Sequence, residues 1–316
     1  MSENNNNLAF VFPGQGSQSV GMLSAMAESF PVVTQTFEQA SDILSFDLWK
    51  MVQNGPGEVL NQTHNTQPAM LAAGVAMWRV FCEQSSIRPV FMAGHSLGEY
   101  TALVCADSIK FEDAVQLVAE RGRLMQEAVP VGIGAMAAII GLDDKQVINV
   151  CAESAGNEIV AAVNFNAPGQ VVIAGHDGAV ERAMLAAKEA GAKRAIKLPV
   201  SVPSHCALME SAAEKLFTNL QAIEIKTPDV TLIHNVDVES HDEASVIARV
   251  LKEQLFKPVR WVDSIKFISE QEVTQFVECG PGKVLMGLNR RIVKAADHMT
   301  MYDPATLEKV LEQLNG

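Results

Sequence analysis

The sequence predicts an α/β protein in which a small split βαββαβ unit, ferredoxin-like in its order, is inserted into a larger α/β body. Three observations predict it. Short apolar runs stop at glycine-rich turns and give way to apolar residues at helical spacing, the alternation expected around a parallel sheet. Between about residues 131 and 199 the order becomes strand, helix, strand, strand, helix, strand. Finally, 316 residues, 48% apolar and 19% charged, supply enough chain for two cores without cross-links and too little charge for a disordered one. The expected division is 1–128 with 199–316 for the larger domain and 129–198 for the smaller.

Taken in order, Met1 to Asn7 is polar, with no basic or long apolar stretch, and reads as a frayed leader and not a signal peptide. Leu8 to Phe12 is a buried strand stopped by Pro13-Gly14. Met70, Leu71, Val75, Trp78 and Phe81 mark a helix; Pro89 to Ala93 is a second strand, and Leu97, Tyr100 and Val104 recur at helical spacing after it. A helix covers Phe111 to Ala128. The inserted unit reads as strand Ile133 to Ile140, helix Asp143 to Ser154, strands Ile159 to Asn164 and Gln170 to Ala174, helix Asp177 to Ala190 and strand Arg194 to Leu198. A helix from His205 to Leu220, strands at Val230 to His234 and Thr274 to Glu278, and a final helix complete the chain.

Composition narrows the function. With 24 Lys and Arg against 37 Asp and Glu the formal charge is −13, a field that repels phosphate backbones, so no nucleic-acid partner is expected. Cys82, Cys105, Cys151, Cys206 and Cys279 are odd in number and form no CxxC, which suits reduced thiols in a cytoplasmic protein. The longest uncharged apolar stretch, Ala128 to Leu142, is broken by Pro130 and three glycines and falls short of the ~20 residues of a membrane span, so no membrane association is expected. There is no HExxH and no Walker sequence, and Gly14-x-Gly16-x-x-Ser19 lacks the third glycine of a dinucleotide fingerprint; neither metal nor nucleotide cofactor is expected.

Gly94-His95-Ser96-Leu97-Gly98 matches G-x-S-x-G between an apolar strand and an amphipathic helix, the context in which a strained turn exposes a nucleophilic serine. The plainer alternative is a glycine-rich turn with a capping serine. Ser96 as nucleophile needs a base, and of seven histidines His205 stands out, because it follows Pro203-Ser204 and opens a helical run through Leu208, Ala212, Lys215 and Leu216. At a helix N-terminus the dipole favours a neutral imidazole, although such a histidine can also simply cap the helix or face water. His95 is expected to point away from the serine and to pack or orient the loop.

Arg121 has Leu117, Val118, Leu124 and Met125 at i±3 and i±4 and so projects from the apolar face of its helix, where it wants either a protein carboxylate or one brought by a ligand. Arg123, by contrast, has Glu120 and Glu127 for ordinary surface pairs. The backbone N–H groups of Leu97 and Gln15 are placed to hold an oxyanion.

Phe12-Pro-Gly-Gln-Gly-Ser-Gln18, Gly94-His-Ser-Leu-Gly-Glu-Tyr100, Glu120-Arg-Gly-Arg-Leu-Met-Gln126, Val163-Asn-Phe-Asn-Ala-Pro-Gly-Gln-Val171, Val202-Pro-Ser-His-Cys206, Gln254-Leu-Phe-Lys-Pro-Val-Arg-Trp261 and Glu278-Cys-Gly-Pro-Gly-Lys-Val284 occur in this order. Together they resemble the malonyl-CoA to acyl carrier protein transacylases of dissociated bacterial fatty-acid synthesis, over nearly the whole chain. The resemblance implies a hydrolase-like large domain and a ferredoxin-like insert with the site between them. It also implies a ping-pong transfer of malonyl from malonyl-CoA to the phosphopantetheine thiol of acyl carrier protein. Coenzyme A enters as substrate, phosphopantetheine is carried by the partner, and no resident cofactor is needed; a monomer is expected.

By the same resemblance Ser96 is acylated, His205 is base and acid, Arg121 holds the malonyl carboxylate, and Gln15 and Leu97 form the oxyanion hole. Gln254 matches the position whose carbonyl orients the histidine, and Asn166 is a further substrate-binding candidate. Ser204 stands where modular polyketide loaders commonly carry Phe, which points to the fatty-acid branch. Lys193, Arg194, Lys283, Arg290 and Arg291 are candidates for carrier-protein docking, against the bland reading of a solvated face. Two rival functions use the same features: a serine esterase or thioesterase, and a non-catalytic scaffold that binds acyl-CoA or carrier protein.

Overall fold

Strand β1 (Glu3–Phe12) is the middle of a five-stranded sheet in a computed structural model that describes residues 3–130, 132–200 and 202–315. With β2 (Ile87–Gly94), β7 (Thr231–Ile233), β8 (Gln275–Cys279) and β9 (Asp297–Met301) it forms the order β7-β2-β1-β8-β9, every pair parallel. The apolar run of β1 does not alternate because both faces are covered: Leu8, Phe10 and Phe12 enter one core, Ala9 and Val11 another.

Two sequence expectations change here. The asparagine tract is no frayed leader: β1 reaches back to Glu3, with Asn5 opposite Pro89, and Thr274 N–H donates to the Asn7 carbonyl. Asn6 and Asn7 are exposed, so this polar end extends the strand beyond the layer that covers it. Met1 and Ser2 lie outside the described residues. Nor does the sequence reading contain β9, or the helices Trp261–Glu270 and Val284–Ile292, whose short lengths give periodicity little room.

The inserted segment folds as β3 (Gly134–Ile140), β4 (Val160–Ala167), β5 (Gln170–His176) and β6 (Arg194–Lys197), an antiparallel sheet in the order β4-β5-β3-β6. Helices Asp144–Ala155 and Asp177–Glu189 cover one face over Ala137, Ile139, Val171 and Ile173. The first starts on a reciprocal cap in which Asp143 and Gln146 each accept the other's backbone N–H, at 2.8 and 2.9 Å. On the other side Met136, Val163, Val172 and Ala174 of the sheet cluster with Cys206. Phe165 N–H and Val259 N–H tie β4 to the larger body at 3.0 and 2.8 Å, fixing the walls of the cleft between the two sheets.

Candidate active site

Ser96 joins β2 to the helix Leu97–Cys105 with φ 52 and ψ −109, a conformation that L-residues rarely adopt. Its neighbours make the turn possible. A Cβ at Gly94 would strike the Gly98 backbone, and one at Gly98 would strike the Phe12 carbonyl. Asn235 then clamps the turn: its Oδ1 accepts from Ser96 N–H at 2.8 Å and its Nδ2 donates to the Gly94 carbonyl at 2.7 Å.

Ser96 Oγ lies 2.8 Å from His205 Nε2, and His205 Nδ1 lies 2.6 Å from the Gln254 carbonyl. A carbonyl oxygen only accepts, so Nδ1 carries the proton and Nε2 turns its lone pair to the serine hydroxyl. Burial, and then the Arg121 cation, lower the His205 pKa to about 3 against the opposing pull of the Gln254 carbonyl. The imidazole is therefore neutral and able to accept a proton at pH 7. The helix-dipole argument for His205 does not hold, because a 3-10 turn at Ala207–Met209 intervenes and the α-helix is Glu210–Ala222. His205 instead sits at φ 64 with its N–H donated to the Leu255 carbonyl at 2.8 Å, which fastens it to the chain just after the helix Ala244–Gln254.

Arg121 projects from the helix Phe111–Ala128 and is 1% exposed. Its Nη1 donates to Gln67 Oε1 at 2.9 Å, and its Nη2 to Gln254 Oε1 at 2.9 Å and Ser96 Oγ at 3.3 Å, while the guanidinium carbon lies 5.3 Å from the Tyr100 ring centroid. No carboxylate forms an ion pair with it among the described residues. A buried cation met only by neutral oxygens, beside the serine and with its Nε unpartnered, has the chemistry to receive an anion. Arg123, two residues on, reaches Glu120 and Glu127 at 2.5–2.7 Å on the surface.

These groups line a cleft of about 210 Å³ that also takes in Gln15, Leu97 and Asn166. As the first residue of its helix, Leu97 has an N–H with no acceptor inside that helix. Asn166 Oδ1 lies 2.7 Å from His95 Nε2, and burial lowers the His95 pKa while this bond opposes it, so His95 is tied to the far wall and away from the serine proton. A larger depression of about 630 Å³ is walled by Arg79, Lys110 and Glu224, but Lys110 and Glu224 pair across it at 3.1 Å and none of the candidate residues reaches it. Asp237, Glu239 and His241 bring ligand atoms within 4.8 Å of one another, outside the cleft, with His241 Nε2 at 2.8 Å from Asp237. No helix among the described residues is long and apolar enough to cross a membrane.

Sequence reasoning missed Asn235, Gln67, Glu99 and His234. Glu99 follows the elbow by three residues and is fully buried, accepting from His234 Nδ1, Asn235 N–H and Gln254 Nε2 at 2.7, 3.1 and 2.8 Å. An acidic residue in the first turn of an otherwise apolar helix was the available signal. Of the docking candidates, Arg291 donates to Gln170, and Gln170 and Arg194 flank Ile140 in one register row, so these two arginines share a sheet face.

Residues 9–307 match the acyl transferase domain family. The malonyl CoA-acyl carrier protein transacylase of Salmonella typhimurium is 56% identical over 305 residues, 96% of this chain and 99% of that protein. A crystal structure of an acyl carrier protein S-malonyltransferase from Vibrio cholerae superposes with a TM-score of 0.94 at 54% identity, covering 96% of this chain and 99% of that one. A malonyl-transacylase solved in complex with a type II polyketide synthase acyl-carrier protein gives 0.96 at 55% identity, over 97% and 99%. By sequence and by structure, the chain belongs to the acyl transferase family, among the malonyl CoA-acyl carrier protein transacylases.

Proposed function

We propose that this chain transfers the malonyl group of malonyl-CoA to the phosphopantetheine thiol of acyl carrier protein in fatty-acid biosynthesis, in the cytoplasm, through a malonyl-Ser96 intermediate. The observation that carries the reading is the Ser96–His205 contact of 2.8 Å with Arg121, which has no ion pair among the described residues, at 3.3 Å from the same hydroxyl oxygen. A nucleophile alone would serve any ester; the adjoining cation selects an acyl group that ends in a carboxylate.

His205 Nε2 takes the Ser96 proton as Oγ attacks the thioester carbonyl. The oxyanion rests on the N–H groups of Gln15 and Leu97, and the imidazolium is held by the Gln254 carbonyl at Nδ1. On collapse, Nε2–H protonates the departing thiolate of coenzyme A. The malonyl carboxylate displaces the Ser96 hydroxyl from Arg121 Nη2 and sits against a guanidinium held in place by Gln67 at Nη1 and Gln254 at Nη2. It also offsets the positive charge that depresses His205, so the base strengthens when the correct substrate arrives. The thiol of the carrier protein then enters and the steps run in reverse.

The division into 1–128 with 199–316 and 129–198 leaves the carrier's arm to enter between the two units, over a cleft wall that includes Leu285 and Leu288. Arg290 and Arg291 end that helix, and with Arg194 they offer cations to an acidic carrier despite the net charge of −13. Incubation with malonyl-CoA, digestion and mass analysis tests the proposal. Malonyl is expected on the peptide that contains Ser96, and on none in Ser96→Ala; an adduct retained by that variant would overturn it.

A further inference from the structure

Glu99 and Arg121 are opposite charges, both essentially excluded from water, yet they do not touch. What separates them is the side-chain amide of Gln254, whose Oε1 accepts from Arg121 Nη2 at 2.9 Å while its Nε2 donates to Glu99 Oε2 at 2.8 Å and to the Ser96 carbonyl at 2.9 Å. The orientation of this amide follows from its partners: the guanidinium can only donate, and the carboxylate and the serine carbonyl can only accept. The amide oxygen therefore faces the cation and the amide N–H faces the anion, so one primary amide bridges the two.

We infer that Gln254 is a spacer that keeps Glu99 from pairing with Arg121, so that the guanidinium is charge-balanced at a distance yet free to take a substrate carboxylate. A direct Glu99–Arg121 bridge would satisfy both buried charges and close the acyl subsite with the protein's own acid. Glu99 is held back on its other side as well, by His234 Nδ1 at 2.7 Å and the Asn235 N–H at 3.1 Å. Because Asn235 also clamps the Ser96 turn, withdrawal of the anion and shape of the elbow are built from one set of bonds. Gln254 and Glu99 are thus positioning residues: the first serves His205 through its backbone and Arg121 through its side chain.

The functional side of this inference rests on the malonyl reading above, so the test has two arms. In the kinetic arm, Gln254→Ala keeps the backbone carbonyl on His205 and removes the spacer. The KM for malonyl-CoA is expected to rise by about tenfold or more, one decade of affinity, and Glu99→Gln added to that variant is expected to return it to within about threefold. A double variant no better than the single one would overturn the inference, since a merely structural Gln254 gives no rescue on losing a second buried partner. In the structural arm, a crystal structure of Gln254→Ala without substrate should bring the Glu99 carboxylate to within about 4 Å of the guanidinium, the ion-pair distance; Glu99 left on His234 and Asn235 alone would overturn it. This arm decides the spacer role even if wild-type protein takes no malonyl, an outcome that would refute only the functional reading. Thermal melting checks that each variant folds, and Gln254→Ser replaces the alanine variant if that one does not.

Discussion

Replacing Arg121 separates the contribution of the cation from that of the Ser96–His205 pair. In the malonyl-bound site the guanidinium would face the substrate carboxylate in a cleft that leaves it 1% exposed. Removing one partner of a buried ion pair strands the other, at a cost of about 3–5 kcal/mol. At ~1.4 kcal/mol per decade, kcat/KM for malonyl-CoA should fall by roughly two to three and a half orders of magnitude in Arg121→Ala. Acetyl-CoA has no carboxylate to strand, and His205 loses the cation that is the second cause of its lowered basicity, so acetyl transfer should hold or rise. The ratio of the two substrates, measured by transfer to carrier protein, is then expected to move by at least about a hundredfold. Arg121→Met, which keeps much of the side-chain volume that Gln67 and Gln254 surround, guards against collapse of the site. An equal loss for both substrates in a variant with a wild-type melting curve would refute the clamp.

Other expectations follow from the same geometry. Gly98→Ala drives a methyl group into the Phe12 carbonyl and should cost at least ~1–3 kcal/mol of stability by urea unfolding; an unchanged midpoint would contradict the elbow packing. Since burial holds His205 near pKa 3 against ~6.5 in the unfolded chain, the unfolded state takes up the proton first as pH falls. The stability linked to neutral His205 is complete above about pH 6.5 and drains away toward pH 3, by ~2–3 kcal/mol at pH 4.5; His205→Gln should flatten that slope, and an equally steep curve would be evidence against it. Arg291→Glu should slow delivery to carrier protein while malonylation of Ser96 from malonyl-CoA continues; unchanged carrier kinetics would remove this residue from the docking surface. If the chain were instead an esterase, free malonate would appear at the rate at which malonyl-CoA is consumed, with carrier protein present or absent.

The parts legible in the sequence were those with a local signature. A buried parallel strand announces itself as an unbroken apolar run, and the tight elbow needs glycine at 94 and 98, so the G-x-S-x-G context could be read without coordinates. Arg121 was legible because helical spacing assigns a residue to a face before its partners are known. The asparagines of β1 were misread because strand pairing overrode composition, and His205 was misplaced at a helix start because its left-handed backbone and its bond to Leu255 come from a segment fifty residues away. Residues such as Asn235, which donates and accepts across the elbow from 139 positions downstream, have no local signature at all. Gln254 shows the limit most clearly: likeness to a family implies a backbone role for it, but the work of its side chain appears only when three elements converge.

That convergence bears on why the third partner of the histidine is a carbonyl. The usual argument for an acid at this position is that it steadies the imidazolium. Here the residue whose backbone carbonyl meets His205 also meets the guanidinium with its side chain, so an acidic side chain at position 254 would bring a carboxylate to a cation that has no ion-pair partner among the described residues, and pairing would satisfy both charges. The steadying group would then become a competitor of the substrate. A neutral oxygen fixes the tautomer of His205 without offering Arg121 an anion, and the negative charge is set back at Glu99, behind an amide. Selectivity for an acidic acyl group and the absence of an acidic third member therefore have one electrostatic cause: the cation must remain unpaired until the carboxylate of the substrate reaches it.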